Sequence, residues 1–187
     1  KDFGAVGDGI ADDTAAIQNA YTASQLIHVP EGTYLVDTNL TIPSSATFEF
    51  ANGGQFIVGS GVTISWGGGI IAGDYQEIFS GDLVQSAFIA DAEVPYTFGV
   101  QGDPNIKYST PFWFGATADF NSTTGIGTDD VDSFRCAQYF GKTTFIPASN
   151  YKIVGNINEK RSDTYLYGAG GSSKIYQRDT GTFGGTG

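Results

Sequence analysis

The chain repeats itself, and that limits the fold more than any single motif does. Set against itself with an offset of 117 positions, Asp12-Asp13 falls on Asp129-Asp130, Ala20 on Ala137, Pro30 on Pro147 and Tyr34 on Tyr151. Asn39 meets Asn156, Ser45 meets Ser162, Thr47 meets Thr164, and Gly53-Gly54 meets Gly170-Gly171. These are ten identities in 43 ungapped pairs, where composition alone gives roughly three. Upstream, Phe3-Gly4-Ala5 matches Phe114-Gly115-Ala116 once about six extra residues are allowed in the second copy. The fold must therefore be one that a chain can begin twice.

A shorter period runs inside the first copy. Leu26, Phe48 and Ile70 are 22 apart, as are Tyr34, Phe56 and Ile78, and Leu40, Val62 and Val84. The segments carrying these columns are short and β-branched or aromatic: Leu26 to Val29, Thr33 to Val36, Thr47 to Phe50 and Val62 to Trp66. Gly, Asn, Ser and Pro separate them, as strand and turn chemistry requires. Three strands per 22-residue step, with like residues above like, describe a solenoid coil. The second copy repeats the step with Phe145 over Tyr167 and Ile153 over Ile175. A leucine-rich repeat has a similar period, but its LxxLxLxxN pattern is missing, so a β-helix is the better reading.

Each copy opens with one helical pattern. Asp12-Asp13-Thr14 offers N-cap residues, with Ile17, Ala20 and Tyr21 on one face; in the second copy Asp129-Asp130 precedes Val131, Phe134 and Ala137. A helix placed there is expected to cap the open end of a coil, which would otherwise expose unpaired backbone. The formal net charge of −11 argues against a nucleic-acid partner. Cys136 is the one cysteine, which excludes an internal disulfide and a paired-cysteine zinc site. Apolar runs of four or five residues are too short to span a membrane. With no Met and Lys1 first, the natural N-terminus is expected to lie upstream.

The stretch Phe3-Gly4-Ala5-Val6-Gly7-Asp8-Gly9-Ile10-Ala11-Asp12-Asp13-Thr14-Ala15-Ala16-Ile17, followed by Val29-Pro30-Glu31-Gly32-Thr33-Tyr34, resembles the N-terminal signature of the pectate-lyase-like superfamily. That group includes phage tailspikes and polysaccharide-degrading enzymes. Ile71 to Phe79, leading on to Trp113-Phe114-Gly115-Ala116, is similar to a linker of bacterial and phage members. The resemblance implies a mainly β protein, a right-handed parallel β-helix with a short capping α-helix at the start of each repeat. The first repeat with its linker is expected over 1–110 and a second, degenerate repeat over 111–187, continuing into a longer β-helix. In the second repeat Asp119-Phe120-Asn121-Ser122-Thr123-Thr124-Gly125 replaces the compact Gly-Asp-Gly turn, and no equivalent of Asp8 is evident.

Glycoside hydrolysis usually needs two carboxylates flanking the bond. The obvious pairs, Asp12-Asp13 and Asp129-Asp130, are more simply helix-start residues. Asp8, Asp12 and Asp13 offer hard oxygen ligands for calcium, against which the EF-hand spacing is absent. No other cofactor is implied. Arg135, Arg161 and Arg178 could serve a lyase as base, but read as helix and turn charges. His28 reads as a satisfied strand residue and Cys136 as a small core residue. Trp66, Trp113 and the ten tyrosines could stack on sugars or on one another. Asn39-Leu40-Thr41 and Asn121-Ser122-Thr123 fit a glycosylation sequon, with no modification expected in a phage or bacterial protein.

The catalytic residues are thus unknown from sequence, with any active site expected outside this segment. The resemblance favours a phage tailspike or tail-fibre segment, located in the virion tail. Such a segment would be a homotrimeric scaffold adsorbing to bacterial surface polysaccharide alongside other tail proteins. The alternatives are a fragment of a secreted or cell-surface bacterial glycosidase or polysaccharide lyase, and a structural virion or surface protein without sugar recognition.

Overall fold

The computed structural model describes residues 2–83, 99–155, 157 and 165–178. The described residues are mainly β, with two α-helices of ten residues, and the pairings between their named strands are all parallel. After β1 (Asp8–Asp12) and α1 (Thr14–Ala23) come β2 (Leu26–Val29), β3 (Gly32–Val36) and β4 (Leu40–Ile42). The next layer is β5 (Thr47–Phe50), β6 (Gly54–Val58) and β7 (Thr63–Trp66); then follow β8 (Gly69–Ile71), β9 (Phe79–Gly81) and β10 (Gly99–Gly102). The strands fall into three sheets, ordered β1-β3-β6-β9, β2-β5-β8 and β4-β7-β10. The chain visits these sheets in the same order on each pass, which is a β-helix-like arrangement.

Alternation decides what lies inside. In β6 the burial runs Gly54, Phe56 and Val58 inward, with Gln55 and Ile57 between them half-buried. Phe48, Phe50, Phe56, Trp66 and Phe79 meet in one apolar core, mostly edge to face at centroid distances such as 5.0 Å for Phe48–Trp66 and 5.5 Å for Trp66–Phe79. A fully buried ring of this kind contributes about 1.5–3 kcal/mol.

The three columns read from the sequence are present in outline and shifted in detail. Tyr34 sits over Phe56 as expected, 22 residues on. The first column is Ile27, Phe48 and Ile70, while Leu26 pairs with Thr47 and points outward. Phe79, not Ile78, pairs with Phe56, although both are buried. Leu40 pairs with Ile64, 24 residues on, and Val62 lies buried in the turn before β7. Turns of unequal length give each sheet its own step, so one constant period cannot serve all three. Val84, Asn156, Arg161, Ser162, Thr164 and 181–187 lie outside the described residues.

The duplication is repeated in three dimensions. After a 3₁₀ turn at Pro111–Phe114 come α2 (Val131–Phe140), β11 (Thr143–Ile146), β12 (Ser149–Val154), β13 (Tyr165–Gly168) and β14 (Ser173–Arg178). Helix α2 begins and ends 117 positions after α1, and β11 likewise after β2. Phe145 pairs with Tyr167, as the sequence step requires. Ile153 instead faces Gln177, because Tyr151 takes Ile175. Asp8 does have a counterpart: Asp8 is opposite Thr33 and Asp119 is opposite Asn150, which is 117 positions after Thr33.

The two helices differ in what they separate. Ile17 and Ala20 of α1 face the first core, while Asn19 and Ala23 are exposed. In α2 the equivalents of those outer positions are Cys136 and Phe140, both buried. Phe140 packs on Phe114, Phe79 and Trp66 of the first core, while Val131 and Phe134 belong to the second. Helix α1 covers one end; α2 is a partition with a core on each side. Truncating Phe140 to Ala should therefore cost about 3–5 kcal/mol. Urea unfolding checks this, and a loss below about 1 kcal/mol contradicts the partition.

Candidate functional site

The acidic pairs are built into the start of each repeat. Asp13 is buried and its two carboxylate oxygens accept from the backbone N–H of Val6 (2.6 Å) and Gly7 (3.1 Å). Asp130, also buried, accepts from Thr117 N (2.8 Å) and Ala118 N (3.3 Å), the corresponding positions of the second copy. Gly7 has φ of 70° and Ala118 has φ of 51°, so the same left-handed turn is kept after the glycine is gone. Burial pushes the Asp130 carboxyl above its ordinary range, against the pull of the backbone donors.

Their neighbours tie the helix to the sheet. Asp12 Oδ1 accepts from the hydroxyl and backbone N–H of Thr14 and from Asp37 N. Asp129 Oδ1 accepts from Val131 N and from Val154 N, 117 residues after Asp37. The Thr14 contacts, hydroxyl first, hold the Asp12 carboxyl below the usual range. Asp12 and Asp129 thus serve the helix starts, whereas Asp13 and Asp130 hold the preceding turn instead of capping.

Asp8, the third calcium candidate, accepts from Ile10 N and Ala11 N at 2.8 and 2.9 Å. Its counterpart Asp119 accepts from Thr128 N and the Thr128 hydroxyl at 2.6 and 3.0 Å. Among the described residues no group of three His, Cys, Asp or Glu side chains gathers as a metal-ligand set. The oxygens of Asp8, Asp12 and Asp13 are engaged with separate stretches of backbone.

The other sequence candidates scatter. Arg135 pairs with Asp132 at 3.1 Å along α2. Arg178 stands opposite Val154 at the end of β14. His28 is exposed on β2 with Nδ1 3.4 Å from Glu49 on β5. Cys136 is buried, and desolvation pushes its thiol up, which suits a core residue. Trp66 and Trp113 are core residues, and Trp113 Nε1 donates to Gly73 O at 2.9 Å, joining the two ends of the linker signature. Asn39 of the first sequon accepts from Thr63 N, and Asn121 of the second from Thr123 N.

A cavity of about 470 Å³ lies beneath α1, lined by Ile17, Ile27, Tyr34, Phe48 and Phe56. Phe134 takes the place of Ile17 in the second copy and meets Tyr151 edge on at 5.1 Å. Tyr151 donates to Pro147 O (2.9 Å), while the buried Tyr34 hydroxyl has no hydrogen-bond partner among the described residues.

The second repeat carries a feature that the sequence does not reveal. Thr144 and Ile146 point inward from β11, so Phe145 points out, and so does its partner Tyr167 on β13. Their centroids are 5.2 Å apart with planes at 35°, and Tyr108 flanks Phe145 at 5.2 Å. Tyr165 is 67% exposed and Tyr167 41%. The Tyr108 hydroxyl donates to Asp74 at 2.8 Å, which pushes its pKa up to about 12. The Phe145–Tyr167 step was legible as a column, but not the side of the sheet on which it stands.

The geometry of the acidic residues makes two stability predictions. In Asp13→Asn an amide NH₂ replaces one acceptor, stranding a buried donor, with an expected loss of about 1–3 kcal/mol in chemical unfolding. Asp12, with its folded pKa depressed, contributes stability above the ordinary carboxylate pKa of 3.8, and that contribution is lost as pH falls through the lower folded value. Asp12→Asn should therefore destabilise at neutral pH and flatten the acid limb of a melting-temperature profile. An unchanged acid limb contradicts it.

Residues 1–65 match the family described as rhamnogalacturonase A/epimerase, pectate lyase-like. The chain is 33% identical over 76 residues to the capsule K3-specific depolymerase 1 of Klebsiella phage KP32, covering 35% of this chain and 9% of that protein. It is 40% identical over 70 residues to mannuronan C5-epimerase AlgE1 of Azotobacter vinelandii, covering 31% of this chain and 5% of the epimerase. It is also 46% identical over 55 residues to plasmin and fibronectin-binding protein A of Streptococcus pneumoniae, covering 26% and 8%. The chain thus spans less than a tenth of these relatives. No solved structure matches it. The family likeness is thus carried by the N-terminal third of the chain, which is similar to the pectate lyase-like, rhamnogalacturonase A/epimerase description.

Proposed function

We propose that this chain is a segment of a polysaccharide-acting protein of the phage tailspike type, built on a right-handed parallel β-helix. Residues 1–110 form the first repeat with its linker, and 111–187 open the second. The segment is a scaffold in a homotrimer that presents the virion tail to bacterial surface polysaccharide, with catalysis carried out elsewhere in the parent. The observation that carries this reading is the twice-built cap, a helix and buried aspartate ahead of parallel layers, on a sequence that matches a phage capsule depolymerase. Both acidic pairs are occupied with backbone donors, which supports a scaffold role here.

The epimerase likeness favours a second reading, a segment of a bacterial enzyme acting on a polysaccharide. The experiment is mass photometry of the parent protein, followed by incubation with purified capsular polysaccharide and assay of reducing ends. A heat-stable trimer that shortens or retains capsule is expected. A monomer that alters only a bacterial exopolysaccharide favours the second reading. A parent that neither binds nor alters any glycan overturns both.

A further inference from the structure

We propose that the outward row of Tyr108, Phe145, Tyr165 and Tyr167 is a stacking site for an uncharged stretch of polysaccharide. This deepens the polysaccharide-acting reading and rests on it. Parallel pairing fixes the row: Thr143 is opposite Tyr165 and Phe145 is opposite Tyr167, while Thr144 and Ile146 between them are buried. Tyr108 adds a third layer through the bridge of its neighbour Ser109 to Thr144. Neighbouring strands lie about 4.8 Å apart, so three layers of rings extend over about 10 Å, the reach of a short run of sugar rings.

The fold does not demand these rings. At the equivalent outward positions of the first repeat the ladder is His28, Glu49 and Ile71, an exposed polar pair followed by one aliphatic residue. The same backbone is built there without an aromatic. In the second repeat Tyr165 and Tyr167 are exposed and Tyr108 and Phe145 half-buried, and apolar ring faces in water are unfavourable unless something covers them.

Chemistry selects the occupant. A pyranose ring presents C–H groups on its faces and hydroxyls at its rim. An aromatic face is apolar and carries the negative side of its quadrupole, which suits C–H contact, while phenol hydroxyls reach the rim. Tyr108 is held by Asp74, so its ring needs no ordering on binding. The local charges are already engaged: Lys142 with Asp103 at 3.1 Å, and Lys107 over the Tyr108 ring at 5.7 Å. A net charge of −11 repels a polyuronate.

Affinity electrophoresis tests this, with galactomannan, xyloglucan or dextran in the gel and alginate and polygalacturonate as acidic comparisons. Retardation by at least one neutral polymer is expected. It should fall more than tenfold in Tyr165→Ala/Tyr167→Ala and be largely kept in Tyr167→Phe, with circular dichroism unchanged. Saturation-transfer NMR on the unmodified protein with a xyloglucan oligosaccharide gives a readout that needs no variant, with transfer expected onto sugar C–H protons. Equal retardation of the double variant, retardation by acidic polymers alone, or loss of self-association instead of glycan binding overturns the site. So does the absence of both retardation and transfer. None of these results alters the parent's activity on capsule, so the two readings fail separately.

Discussion

A stack of parallel strands satisfies its backbone only toward its neighbours, and its two ends remain unpaired. Much in this molecule answers that constraint. Before the first layer, α1 lies over the opening with Ile17 and Ala20 turned inward. Between the two sets of parallel strands, α2 does the same work in both directions, with Phe140 in one core and Phe134 in the other. The difference follows from two positions: Asn19 and Ala23 tolerate water, and Cys136 and Phe140 do not.

The buried aspartate of each repeat is the second half of the same device. A left-handed residue, Gly7 in one copy and Ala118 in the other, precedes each helix. Asp13 and Asp130 hold that turn through two backbone donors each. A buried carboxylate without those donors would be expensive. The turn and the acid are therefore kept together, even where Gly7 has become Ala118.

The repeat, the helix starts and four strands of the first copy were legible because each depends on local chemistry: capping residues, alternation and turn formers. The registers of Leu26 and Leu40 were not. A one-residue slip moves a side chain to the opposite face, and turn lengths that give Leu40 its 24-residue step to Ile64 leave no periodic trace. The counterpart of Asp8 was hidden by an insertion that separates Asp119 from Asp129. For the candidate site, the Phe145–Tyr167 pairing could be read but its outward direction could not, because an aromatic column looks the same on either side of a sheet. Tyr108 joins that row through tertiary contact with Asp74, which no sequence spacing encodes.

That insertion has a practical side. Asn121 pairs antiparallel with Ile126, and Asn121 Oδ1 caps the tip through Thr123 and Thr124, so the extra residues form a small hairpin of their own. Its base is held by Asp119 to Thr128 and by Lys152 to the Gly127 carbonyl. Length added at the tip is thus uncoupled from the strands below. An epitope tag or a fluorophore-bearing cysteine could be grafted between Ser122 and Gly125, giving a label that leaves the strands beneath it undisturbed.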